Sequence, residues 1–268
     1  KASTLYVSLE PCNIHRNTPP CTLLILEEGI PRVVVSSVDQ TPGVNGSGLQ
    51  RLREAGVDVT VGVLEEQGRR LSQARNTFIT ASRPYIHLKF AQSANGMFAP
   101  EQQEQLWLTH PYTKLLVHKW RSETSAILVG ANTALTDNPQ LNNRLYYGNS
   151  PIRVLLDLKG NLPLDLKLFS DGAPTLLFHG ADLPQRKGMP HSVQSYKIPQ
   201  GTAPLSYLLR KLYELNLSML MVEGGIQALQ MFIDAGLWDE ALVLTAGGYL
   251  PSGRRSPDLP VPPESVQP

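Results

Sequence analysis

Short runs of β-branched and aliphatic residues recur along this chain, and segments with helical spacing of apolar positions lie between them. That alternation narrows the fold more than any other feature. Residues 5–9, 32–36 and 57–61 have the length and composition of strands. Residues 22–28, 49–55 and 65–80 read as helices, the first two closed by Gly29 and Gly56. In the third helix Leu71, Ala74, Phe78 and Ile79 fall near one face. A second series follows the linker-like Ala81-Ser82-Arg83-Pro84. It has strands at 85–91, 126–129, 152–157, 175–178 and 219–222, and helices at about 111–121, 205–215 and from Gly225 to Ala235. A loop is expected after the 126–129 strand. Strands alternating with helices predict an α/β fold. A length of 268 residues suits two ordinary domains, which the linker places at 1–82 and 83–268. Pro251, Pro257, Pro260, Pro262 and Pro263 make the end of the second irregular.

A 41% hydrophobic content supports real cores, and a net charge of +1 points to neither a nucleic acid nor a membrane surface. No apolar run reaches membrane-spanning length, and no signal peptide is visible. The chain opens on Lys1 and directly enters a strand, as a fragment of a longer protein would. The only cysteines, Cys12 and Cys21, sit nine positions apart, each preceded by proline. With no secretion signal, they fit a reducing, cytoplasmic setting. Cys21 falls at an expected helix start, where the thiolate is favoured, and two thiolates on a strand–loop–helix unit suit tetrahedral zinc. Two buried, inert cysteines would give the same spacing.

Leu9-Glu10-Pro11-Cys12, eight residues and then Cys21, with Thr18-Pro19-Pro20 before it, resembles the bifunctional deaminase–reductase family of riboflavin biosynthesis. Asp39, Pro42, Val44, Gly46 and Gly48 match the same family. So does the stretch at 130–144, which carries Thr133, Asp137, Asn138-Pro139, Leu141 and Arg144. Glu223-Gly224-Gly225 and Trp238-Asp239-Glu240 complete the resemblance. Read alone, Asp137-Asn138-Pro139 and Gly224-Gly225 are also ordinary turn sequences. Asn17, Arg16 and Ile14 depart from the family pattern, and no H-x-E motif precedes Cys12.

The resemblance implies the C-terminal part of a cytidine-deaminase-like α/β/α domain, followed by a dihydrofolate-reductase-like α/β domain. It implies zinc on Cys12 and Cys21, and His15 and Thr18 near a substrate ribose phosphate. In the reductase half it implies NADPH held by Trp107, Thr133, Asp137, Gly224 and Gly225. Arg121, Leu141, Arg144 and Glu223 would hold the substrate, a pyrimidine ribosyl phosphate, and Asp137 would act in catalysis. A homodimer through the reductase domain is also implied. A reductase acting alone, with the N-terminal part as a structural module, is the competing expectation.

Overall fold

A computed structural model describes residues 3–15, 18–99, 111–180 and 188–261. The chain divides into two compact units, Lys1–Tyr85 and Ile86–Pro268. Among the described residues, no helix is long and apolar enough to cross a membrane.

The first unit is built from β1 (Thr4–Leu9), α1 (Cys21–Glu27), β2 (Arg32–Ser37), α2 (Ser47–Glu54), β3 (Asp58–Val61) and α3 (Glu65–Thr80). The strands form one parallel sheet in the order β1-β2-β3. Val33 and Val35 point to one face and pack on Ile25 of α1 and on Leu49 and Leu52 of α2. Helix α3 covers the other face. It approaches so closely that a Cβ added at Gly68 would lie 2.2 Å from the Ser36 hydroxyl and 3.2 Å from the Ser8 carbonyl.

The stripe expected to bury α3 is only partly in use: Ala74, Phe78 and Ile79 are half-buried, and none of its residues is among the fully buried ones. Gly68 and Ser72 are the buried positions of α3, while Leu71 is 78% exposed. Small residues win this face because only they admit so short a helix–sheet distance. Between the elements, buried Glu10 ties down the turn-rich loop. Its carboxylate accepts from the backbone N–H groups of Asp39 (3.1 Å), Gly46 (2.8 Å) and Gly48 (2.9 Å). Asp39 in turn takes both arms of Arg75, at 2.7 and 3.0 Å. Each buried oxygen thus finds the donors that burial demands.

The second unit contains β4 (Tyr85–Gln92), β5 (Met97–Ala99), α4 (Pro111–Ser122), β6 (Ala126–Gly130), α5 (Ala131–Asp137) and β7 (Ile152–Asp157). It continues with α6 (Lys167–Ser170), β8 (Thr175–His179), β9 (Val193–Lys197) and α7 (Pro204–Glu214). Its last elements are β10 (Met219–Glu223), α8 (Ile226–Asp234), β11 (Glu240–Thr245) and β12 (Arg254–Arg255). Seven strands form one sheet in the order β11-β4-β10-β6-β7-β8-β9. The pairs β11/β4, β10/β6, β6/β7, β7/β8 and β8/β9 are parallel. The chain steps outward from β6 to β9, then returns to insert β10 between β4 and β6. That reversal makes a switch point, where open α/β sheets leave a crevice beyond the strand ends.

Period-two alternation serves both faces of the sheet. Ile86, Leu88, Leu128, Val154 and Val222 pack with Leu208 and Leu212 of α7 and Leu229 and Phe232 of α8. Ile127, Val129, Leu155 and Leu177 pack with Ala134 of α5 and Leu168 and Phe169 of α6. Arg153 is a buried charge on that second face, only 2% exposed. Its donors go to Thr175 Oγ1, both oxygens of Asp171, and the Gln140 and Ala173 carbonyls.

Several elements differ from the sequence expectation. A helix, α5, stands where a loop was expected after β6. Asn132, Thr133 and Thr136 are poor helix formers, but Ala134 is fully buried and fastens the turn to the core. Asn138, at φ 40°, closes it in the left-handed conformation. β11 was not foreseen, because its pairing with β4 joins residues some 150 positions apart. β5, α6, β9 and β12 were also missed; the two-residue β12 pairs with β5 inside the segment read as irregular.

The Gly68 approach gives a direct test. Gly68→Val should destabilise the first unit by about 1–3 kcal/mol, the usual cost of overpacking. Urea unfolding of the full chain measures it, and an unchanged midpoint would refute the close packing of α3.

Candidate functional site

The switch point lies at the ends of β6 and β10. Gly224 and Gly225 follow β10 with φ of 83° and 77°, a region that side chains rarely tolerate. Thr133 of α5 closes on them: a Cβ added at Gly225 would lie 2.5 Å from its hydroxyl, and one at Gly224 would lie 3.3 Å from its methyl. Gly225 is also the N-cap of α8 and carries no side-chain cap, so the first-turn N–H groups of α8 have no side chain capping them. Asn132 donates to Gln227 at 3.0 Å and further links the α5 and α8 starts. Three residues expected to hold the cofactor are thus brought together. Asp137 lies one turn beyond Thr133 on α5, is exposed, and has its carboxyl pushed above the ordinary value by partial burial. Trp107 lies outside the described residues.

Beside the glycine turn is a charged cluster. Arg121 of α4 makes a two-pronged ion pair with Glu223 at the end of β10, Nε to Oε1 at 2.9 Å and Nη2 to Oε2 at 2.6 Å. Its remaining arm donates to the Asn142 carbonyl at 3.1 Å. The pair is nearly closed to solvent, with side-chain exposures of 13% and 9%. Two residues expected to hold substrate therefore hold each other.

Lys89 of β4 joins the cluster, although the sequence reading passed it over. Burial works against the Glu223 carboxylate, yet Lys89, Arg121 and the Arg121 hydrogen bonds together hold its pKa below the ordinary value. Burial first, and then Arg121, lower the Lys89 ammonium pKa, with Glu223 opposing. The signal was available: a lysine set between Leu88 and Phe90 in a largely apolar strand needs a carboxylate partner.

Arg144 and Leu141 sit on the segment after α5. Leu141 is 3% exposed, with its side chain in the second core and φ of 53°. Arg144 is exposed, and its Nη1 donates to the Asn142 side chain at 2.8 Å. Its backbone N–H donates to Nδ1 of His118 at 3.1 Å. His118, another residue the sequence reading passed over, is 4% exposed. Burial, then Arg121 and Arg144, lower its pKa, with Asn143 and Glu223 opposing.

In the first unit, the Cys12 and Cys21 sulfurs are 3.5 Å apart. Two thiolates at about 2.3 Å from one tetrahedral zinc would lie about 3.8 Å apart, so the two sulfurs fit two of its positions. The α1 start acts differently from expectation. The Cys21 N–H donates to the Cys12 sulfur at 3.3 Å. The Cys21 thiol is pushed above its ordinary value, by its hydrogen bond to Cys12 and then by burial. Among the described residues, no group of three or more His, Cys, Asp or Glu could hold a metal. His15 and Thr18 are exposed on the loop between the cysteines.

A parallel α/β domain with a glycine turn at its switch point is a layout that nucleotide-dependent reductases share. Residues 84–260 match the family model described as the RibD C-terminal domain. The chain is 38% identical over 261 residues to the riboflavin biosynthesis protein RibD of Aquifex aeolicus, covering 97% of this chain and 73% of that protein. With the Actinobacillus pleuropneumoniae RibD it shares 36% identity over 229 residues, 83% of this chain and 61% of that protein.

A crystal structure from Thermotoga maritima, titled a diaminohydroxyphosphoribosylaminopyrimidine deaminase/5-amino-6-(5-phosphoribosylamino)uracil reductase, superposes with a TM-score of 0.81. It is 34% identical and covers 96% of this chain and 72% of its own. A riboflavin biosynthesis reductase from Saccharomyces cerevisiae shares the fold, with a TM-score of 0.53 at 22% identity, covering 72% of this chain and 89% of its own. The chain belongs to the RibD family of riboflavin biosynthesis proteins and carries that family's reductase domain.

The charged cluster sets the next expectation. Arg121→Ala should cost about 3–5 kcal/mol by leaving buried Glu223 with only Lys89 against its charge, whereas the double replacement Arg121→Met with Glu223→Leu, which removes both members of the fork, should recover part of that loss. Denaturant midpoints of the single and double variants decide it. Equal losses in both would mean that the pair is not buried as described.

Proposed function

We propose that residues 84–260 reduce the ribosyl group of a phosphoribosylaminouracil to a ribityl chain at the expense of NADPH. Family membership and the activity named for the Thermotoga maritima relative support this reading. The observation that carries it is the Thr133 contact with Gly224 and Gly225. A backbone stripped of side chains, followed by the N-terminus of α8, suits the approach of a pyrophosphate. Thr133, Gly224, Gly225 and Trp107 would hold the cofactor. NADPH, when bound, supplies the hydride.

The protein's own groups position the substrate. Glu223, anchored by Arg121, offers oxygens to sugar hydroxyls, and Lys89 offers N–H donors. Arg144 presents its fork of donors toward the phosphate end. Leu141, buried at its side chain, would meet substrate only through its backbone. Asp137 either polarises the sugar or orients the carboxamide of the cofactor.

Residues 1–82 are read as the C-terminal part of a cytidine-deaminase-like α/β/α domain. Cys12 and Cys21 would be two ligands of a zinc ion, with His15 and Thr18 near the ribose phosphate of its substrate. Such an ion supplies an activated hydroxide near neutral pH. The third protein ligand and a proton-carrying glutamate would have to come from outside the described residues, so no deamination step is derived.

Kinetics of two variants separate the roles in the reductase. Asp137→Ala should lower kcat roughly a hundredfold or more, if its carboxylate acts on the reacting centre. Arg144→Ala should instead raise KM by about tenfold or more, the cost of a lost charge-assisted contact made equally in ground and transition states. An Asp137→Ala enzyme with unchanged kcat would leave Asp137 only its place at the end of α5.

A further inference from the structure

His118 lies outside every role assigned above, yet it is buried and held by defined contacts, a side-chain hydrogen bond with Asn143 among them. Its Nδ1 receives the backbone N–H of Arg144 at 3.1 Å. A backbone N–H can only donate, so Nδ1 must be unprotonated and the ring proton must sit on Nε2. Three residues along the same helix, and so on the same face, Arg121 donates to the Asn142 carbonyl at 3.1 Å. Helix α4 thus grips the 142–144 segment twice, once through a donor and once through an acceptor. The gripped segment carries Arg144, whose side chain folds back on Asn142 at 2.8 Å.

We propose that His118 is a positioning residue for Arg144: only its neutral, Nε2-protonated ring holds the Arg144 N–H, so substrate affinity falls when His118 takes up a proton. The inference rests on the reductase reading, in which Arg144 meets the substrate. Protonation would set an Nδ1–H against the Arg144 N–H, donor against donor. It would also place a second cation beside Arg121 of its own helix and beside Arg144 itself. The groups that face the ring are Arg121 on α4, Arg144 and Asn143 on the gripped segment, and Glu223 on β10. The three that favour the neutral ring, burial and the two arginines, outweigh Asn143 and Glu223. His118 is therefore neutral at pH 7, and the contact is lost as pH falls through a value below the ordinary 6.5.

The test is binding of 5-amino-6-(5-phosphoribosylamino)uracil to the full chain by calorimetry between pH 8 and pH 5.5, without NADPH. The ligand's phosphate titrates near pH 6, so wild type is compared with His118→Asn, whose side-chain oxygen occupies the Nδ1 place and does not titrate. At pH 8 the two should bind within about threefold of each other. At pH 5.5 the wild type should be weaker by a factor that stays under about tenfold, the ceiling for a group that titrates below its ordinary value, and the loss should deepen as pH falls further. His118→Gln, whose amide reaches toward the Nε2 side, should be weakened about tenfold throughout, and thermal melting at each pH reports whether each variant is folded.

The linkage is also readable without substitution. Saturating ligand should move the NMR titration midpoint of His118 downward, because ligand and proton compete. Parallel pH curves for wild type and His118→Asn, or a midpoint unmoved by ligand, would overturn the role of His118 alone. No saturable binding by folded wild type at pH 8 would overturn the reductase reading, and the role of His118 with it.

Discussion

The Arg121 guanidinium joins three places far apart in the chain: its own helix, the end of β10 at Glu223, and the backbone at Asn142. Each of its nitrogens has a defined partner, and the planar fork fits a carboxylate in a way that a lysine could not. Because the pair is nearly buried, its worth lies less in net stability than in uniqueness of geometry: separating either partner leaves an uncompensated charge. The glycine turn depends on this. Glu223 immediately precedes Gly224, so the fork that fixes the carboxylate also fixes where the strand stops and the glycine turn begins.

Around that fork the charges form one balanced set. Lys89 and Arg121 compensate Glu223, and Arg121 together with Arg144 discourages a proton on His118. The acceptor on His118 and the donor on Arg121 then clamp the segment that presents Arg144. Arg153 holds the same segment from its other side through the Gln140 carbonyl. The loop between α5 and β7 is therefore fixed by side chains of a helix and a strand, which is how a rigid fold lends precision to a loop that carries function.

Much of this was legible in the sequence. Val33 to Val35, Ile127 to Val129 and Leu220 to Val222 announce strands, and Gly29 and Gly56 announce helix ends, because burial and backbone conformation act locally there. Thr133, Gly224 and Gly225 stood out through their spacing and motif, and they do converge. What stayed hidden depends on distant partners. The pairing of Glu240–Thr245 with β4 cannot be read from either strand alone. The burial of Gly68 rather than Leu71 is set by the distance of α3 from the sheet. Lys89 and His118 were legible in principle, as a charge in an apolar strand and as an imidazole one turn before Arg121. Their meaning came only when Glu223 and Arg144 were seen beside them.

The central claim is that Gly224 and Gly225, closed on by Thr133, form the cradle of a nicotinamide nucleotide. Its most direct test is a fluorescence titration of the full chain and of Gly225→Ala with NADPH and NADH. An added methyl there would meet both a positive φ and the Thr133 hydroxyl at 2.5 Å. The account predicts that the wild type prefers NADPH and that folded Gly225→Ala loses its affinity by at least about tenfold, consistent with a displaced charge-assisted contact. Equal or absent binding of the two nucleotides by folded wild type, or undiminished NADPH affinity in Gly225→Ala, would contradict it.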